Sequence, residues 1–253
     1  MVRGYLDKDF FLSIDGEDLF EMKAPEKIKH RCVTDEAVVI ENGNVPSSSD
    51  KGGRPFELVV GLGNHIPLWE QNVTLKWRLN SLFDTYTNSD NVKDYIRELV
   101  KDALSQWGDA SPVKFEESSA DCDFEVIMRP DDCDINGCTL ASAFFPNSNL
   151  NILTLYPKMF TQSKFEQVET LIHEIGHIFG LRHYFAKDRE SSWRSEIFGH
   201  HYPLTIMNYG HQSTITEQDR IDLKRLYSSV WSGKLSEING LKIELFKSLT
   251  LKT

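Results

Sequence analysis

His173-Glu174-Ile175-Gly176-His177-Ile178-Phe179-Gly180-Leu181-Arg182-His183 is the stretch that decides how this chain is read. On a helix, His173 and His177 lie four residues apart, so both imidazoles project from one face and can converge on one ion. Glu174 sits one step round, within reach of a water on that ion. Gly180 can take positive φ without a Cβ clash, ending the helix and turning the chain, so that His183 swings back as a third ligand. Three imidazoles with one open position make a catalytic rather than a structural zinc site. An ion held there acidifies a water and polarises a carbonyl, while the carboxylate takes the water's proton. A chance His-Glu-x-x-His in a chain of this composition is on the order of one in fifty, and requiring Gly180 and His183 as well lowers that to roughly a few in a hundred thousand. Three unrelated histidines are thereby disfavoured.

Working outward, Ser163 with Glu166 three residues on forms a capping-box signature. The apolar face Phe165, Val168, Leu171, Ile172, Ile175 and Phe179 predicts a site-bearing helix over about Lys164–Leu181. Upstream, Val92, Tyr95, Ile96, Leu99, Val100, Ala103, Leu104 and Trp107 recur at helical spacing, with Ser89 or Asp90 as the cap. A third helix is expected after Thr216, through Ile221, Leu223, Leu226 and Tyr227. Val73–Leu79, Phe124–Met128, Leu140–Phe145 and Ile152–Tyr156 read as strands. The expected fold class is α+β: a twisted mixed sheet, two long helices behind it and a C-terminal helix below the cleft.

The stretch from Glu41 to Gly63 carries Gly43, Pro46, Ser47-Ser48-Ser49, Gly52, Gly53 and Pro55, which is loop composition. Residues 1–67 are therefore read as an N-terminal extension and 68–253 as the compact domain. A chain of 253 residues, 40% hydrophobic, can bury a core without disulfides. The formal net charge of −10, with no dense Lys/Arg stripe, argues against nucleic acid or an anionic membrane surface as partner. No apolar run approaches the roughly 18 residues of a membrane span, and the N-terminal segment lacks the apolar stretch of a signal peptide. Asn72-Val73-Thr74 is a glycosylation sequon that matters only in a secreted chain. Compartment, oligomeric state and natural substrate are not encoded in any of these patterns.

The motif His173–His183, followed by Thr205-Ile206-Met207-Asn208-Tyr209-Gly210, resembles the zinc-motif and methionine-turn signature of the metzincin zinc peptidases. The resemblance implies a zincin-like fold and one catalytic Zn2+ held by His173, His177 and His183. It further implies Glu174 as general base and Met207 as a hydrophobic floor under the metal. Tyr209 matches the tyrosine that astacin-like and serralysin-like members place near zinc, where it ligates the ion or stabilises an oxyanion; otherwise it is a partly buried core tyrosine. Pro67-Leu68-Trp69-Glu70-Gln71 before Leu75–Leu79, Trp107 with Ser111–Phe115, and Leu140–Pro146 resemble a matrixin catalytic domain over about residues 68–228. In that family the last segment is an edge strand that pairs with an extended peptide substrate. Ser142 stands where matrixins carry a histidine for a structural zinc, so a second zinc is not expected, and no matrixin-type calcium loop is recognisable. The resemblance also points to secretion.

Arg31-Cys32-Val33-Thr34-Asp35 is similar to the matrixin latency motif, in which a propeptide cysteine occupies the open zinc position. Its glycine and proline are missing, and a structural or disulfide-bonded Cys32 is the favoured reading over a propeptide switch. Cys122, Cys133 and Cys138 lie among acidic residues that read as a solvated loop, with a short Cys133–Cys138 bridge open in an oxidising compartment. His200, His201 and His211 flank the methionine turn and are left outside the site. The expected function is hydrolysis of internal peptide bonds in a protein or peptide bound in an extended cleft. The rival is a zinc-binding module that acts only by binding a partner, which has no chemical need for Glu174. A latent zymogen, its cleft blocked by residues 1–67, is the third reading.

Overall fold

The computed structural model describes residues 30–31, 56–130, 132–134, 137–149, 151–190, 192–201, 205–208 and 213–249. Chain order runs β1 (His30–Arg31), β2 (Phe56–Val60), β3 (His65–Trp69), β4 (Thr74–Leu79), α1 (Ser89–Trp107), β5 (Lys114–Glu117) and β6 (Phe124–Met128). It continues through β7 (Asp132–Asp134), β8 (Gly137–Thr139), β9 (Ala141–Ser142), β10 (Ile152–Leu155) and α2 (Lys164–Ile178). Then come α3 (Ala186–Arg189), β11 (Glu196–His201), α4 (Glu217–Trp231), β12 (Glu237–Ile238) and β13 (Leu241–Phe246). The fold is α+β.

The main sheet has the order β5-β4-β6-β10-β9. Its first four strands are mutually parallel, and β9 closes one edge antiparallel to β10 through Ser142↔Thr154 and Ala141↔Leu155. Leu75 and Trp77 alternate inward on β4, as a sheet with one face on a core requires. The edge strand is shorter than the expected Leu140–Phe145. Phe144 and Phe145 are consecutive and both buried, which a pleated strand cannot do for neighbours on one face, so the chain leaves the ladder before Pro146.

α1 buries Val92, Ile96, Leu99, Val100, Ala103 and Trp107, the face expected from its periodicity. Its N-cap is Asn88 rather than Ser89 or Asp90, and Asn88 makes no side-chain capping bond. α2 packs against α1, and Trp107 Nε1 donates to Ile172 O at 3.1 Å. Between these helices, a groove is lined by Gln106, Phe165, Val168 and Glu169. Burial pushes the half-buried Glu169 carboxyl up to about 7, and its Oε2 has no hydrogen-bond partner among the described residues.

The division expected between residues 67 and 68 runs through β3. Upstream of it, β2 pairs antiparallel with β11, and Leu58, Val60 and Ile66 lie in the common core. β3 pairs in parallel with β13, and β12 pairs with β13. Neither of these C-terminal strands was expected from the sequence. Cys133 and Cys138 are disulfide-bonded across the β7–β8 hairpin, while Cys122 is free. Cys32 lies outside the described residues, as do Tyr209 and His211. No described helix is long and apolar enough to cross a membrane.

Candidate metal centre

The site is built on the last turns of α2 and the chain reversal behind it. Ser163 caps the helix in a full capping box with Glu166. The helix ends at Ile178, short of the expected Leu181, because Gly180 adopts φ +85°. Gly180 N donates to His177 O at 2.8 Å and Leu181 N to Gly176 O at 3.0 Å, the paired bonds of a Schellman motif. A Cβ on Gly180 would lie 2.5 Å from Pro67 O, so glycine is required by both backbone angle and space. The carbonyls left over at the helix end meet aromatic donors. Trp69 Nε1 donates to Ile178 O at 2.6 Å, and the Tyr227 hydroxyl to Phe179 O at 2.9 Å. Strand β3 and helix α4 thus bracket the turn that delivers His183.

His173, His177 and His183 are all buried, and their ligand-capable atoms lie within 4.8 Å of one another. Each presents Nδ1 to an acceptor: His173 to Ile206 O, His177 to Leu181 O and His183 to Glu190 Oε1, every one at 2.7 Å. Carbonyl and carboxylate oxygens only accept, so the neutral rings carry their proton on Nδ1 and keep the Nε2 lone pair. His173 Nε2 and His177 Nε2 are 3.2 Å apart. Two lone pairs at that distance repel unless a cation lies between them. The spacing is close to the edge of roughly 3.3 Å of a tetrahedron with metal–nitrogen arms of about 2.0–2.1 Å. The residues present therefore fit a tetrahedral metal ion bound by imidazole.

Glu174 is buried beside His173 on the same helix. Phe145 stands edge-on to His177, with ring centroids 5.5 Å apart. Below the centre, a Cβ on Gly176 would collide with Met207 Sδ, so helix and methionine turn are in tight contact there. The turn is held by a group that the sequence reading missed. Asp219 Oδ2 accepts from Thr216 N and Oγ1 at 2.8 Å, capping α4, while its Oδ1 accepts from Thr205 Oγ1 at 2.6 Å. Thr205 Oγ1 in turn accepts from Met207 N at 3.2 Å. The Thr216-x-x-Asp219 spacing of a capping box was the available signal. Glu190 was likewise missed, and nothing in its local sequence marks it. Burial holds the Tyr156 phenol above its ordinary pKa, against a hydrogen bond with Ser142 that lowers it. The structure thus gathers the three histidines and Glu174, and Tyr209 lies just past the described Met207–Asn208 segment.

Over 152 residues the chain is 27% identical to human stromelysin-3 (Homo sapiens), covering 55% of this chain and 29% of the relative. Rat stromelysin-3 (Rattus norvegicus) is 26% identical over 147 residues, 54% of this chain and 28% of that one. The chain thus matches less than a third of the length of these curated relatives. The solved structure of myroilysin aligns with a TM-score of 0.44 at 15% identity, over 67% of this chain and 98% of that one. The family model of the matrixin peptidases matches residues 68–228, more than half of the sequence and all of the candidate metal centre, and the chain belongs to the matrixin family.

Proposed function

We propose that this chain is a zinc-dependent endopeptidase that cleaves internal peptide bonds of proteins. The single observation that carries the proposal is the convergence of three buried, Nδ1-anchored histidines next to a buried glutamate. His173, His177 and His183 would hold the zinc. When bound, the ion supplies Lewis acidity, polarising the scissile carbonyl and acidifying water. Glu174 takes the proton of the attacking water and returns it to the leaving amine. The Tyr209 hydroxyl donates to the developing oxyanion. The substrate lies extended along β9, whose outer side has no strand partner in the main sheet among the described residues, and adds to it by main-chain hydrogen bonds. The Cys133–Cys138 disulfide suits an oxidising compartment and so supports secretion.

The test is cleavage of an unstructured protein such as casein, with and without a zinc chelator, alongside a metal assay. About one zinc per chain and chelator-sensitive cleavage are expected. Glu174→Gln should keep zinc and lose turnover by roughly two to four orders of magnitude. Full cleavage by that variant would remove Glu174 from the chemistry. Zinc binding with no cleavage by the wild type would leave latency or a binding module, and activity gained on removing residues 1–67 would favour latency.

A further inference from the structure

Two of the three proposed ligands lean on backbone carbonyls, Ile206 O and Leu181 O, which no substitution of those residues removes. The third leans on a side chain. Glu190 Oε1 accepts from His183 Nδ1 at 2.7 Å, and Glu190 Oε2 accepts from Arg182 Nη2, also at 2.7 Å. Arg182 is 1% exposed, so its guanidinium is a buried charge that needs a counter-ion, and the carboxylate supplies one. Arg182 Nη1 also donates to Trp193 O at 3.2 Å.

The backbone fixes Glu190 in place. Ala186 N donates to His183 O at 2.9 Å, Glu190 N to Ala186 O at 2.9 Å and Trp193 N to Glu190 O at 3.1 Å. These bonds among His183, Ala186, Glu190 and Trp193 aim one carboxylate at the ring of His183 from behind. A carboxylate accepting the Nδ1 proton pulls that proton away from the nitrogen and leaves the ring richer in electrons. It also fixes the tautomer and makes Nε2 a stronger donor than a carbonyl partner would.

We infer that Glu190 is a positioning residue for the metal, setting through His183 how tightly zinc is held, with Arg182 holding Glu190 in turn. The inference rests on the proposed role of His183 as a ligand. It assigns Glu190 no contact with substrate.

The test is the zinc dissociation constant of the full chain, measured by competition with a chelating dye. Wild type, Glu190→Gln, Glu190→Ala and His183→Ala are compared, and the unfolding midpoint of each metal-free protein is recorded. Glu190→Ala should weaken zinc by about 10–100-fold. Glu190→Gln keeps an amide oxygen for His183 but not the charge, and should fall between wild type and Glu190→Ala. A purely structural role would lower the metal-free unfolding midpoint and leave the zinc constant of the folded variants unchanged. Should Glu190→Ala fail to fold, Glu190→Gln decides, and a zinc constant within twofold of wild type overturns the inference. Wild-type chain that binds no zinc, or His183→Ala that binds it as wild type does, overturns the metal reading itself and this inference with it.

Discussion

Replacing Gly180 by alanine separates two reasons for a glycine at the turn that delivers His183. The first is conformational: at φ +85° an L side chain is strained, by roughly 1–2 kcal/mol. The second is spatial: the new Cβ would sit 2.5 Å from Pro67 O and 3.0 Å from Leu68 Cδ2. Pro67 O belongs to the backbone of β3, whose last residue, Trp69, holds Ile178 O, so the obstacle cannot rotate away as a side chain could. Overpacking of this kind typically costs about 1–3 kcal/mol. Gly233 provides the control, because it has φ +72° and nothing within 4 Å of an added Cβ. Gly233→Ala should destabilise by about 1–2 kcal/mol and Gly180→Ala by about 2–5 kcal/mol. Both changes restrict the unfolded chain alike, so that contribution cancels in the comparison. The assay is urea unfolding in the presence of chelator, which keeps metal binding out of the stability difference. Equal losses, within about 0.5 kcal/mol, in the two variants would show that the close approach of Pro67 O constrains nothing.

Tyr209→Phe should lower turnover by about 100–1,000-fold while leaving the zinc content intact, and unchanged steady-state kinetics would return the tyrosine to a packing role. Glu169 titrates near 4.5 when unfolded and near 7 when folded, so the folded state holds the proton more tightly between those values. Stability from this group is present below about pH 4.5 and is lost as pH rises through 7. Glu169→Gln should therefore gain about 1 kcal/mol over wild type at pH 8, a figure reduced for solvent screening of a half-buried carboxyl. The gain should vanish near pH 4.5, and a pH-independent difference would refute the assignment.

The candidate metal centre was legible because its spacing is the period of an α-helix: His173, Glu174 and His177 need only one turn of regular structure to fall into place. Gly180 was legible for a different reason, since few residues can reverse a helix so sharply. Partners brought in from elsewhere in the chain were not legible. The Nδ1 acceptors Ile206 O and Leu181 O are backbone atoms and leave no trace in residue identity. Glu190 is one acid among many, and only the folded loop shows that it faces His183. Asp219 gave a helix-cap signal, yet its second bond to Thr205 is a tertiary contact. β2 was hidden by the glycine- and proline-rich stretch before it, and β13 by a short apolar pattern of the kind common on surfaces. The edge strand was overextended because Phe144 and Phe145 carry strong β propensity, which burial of both rings overrode.

The parallel pairing of β13 with β3 joins residues made before α1 to residues made after α4. β3 emerges from the ribosome long before Leu241–Phe246 exist, so its edge stays open on the nascent chain. At about 5–20 residues per second, roughly 3–14 s separate synthesis of the end of α2 from that of Phe246. For nearly all of that interval the three histidines are already made, while the strand carrying Trp69, which braces the end of α2, lacks its neighbour. The order of synthesis places the bracing strand first, the histidine-bearing helix next and the neighbour of that strand last, so this stretch of translation is when an open strand edge is most exposed to wrong pairing.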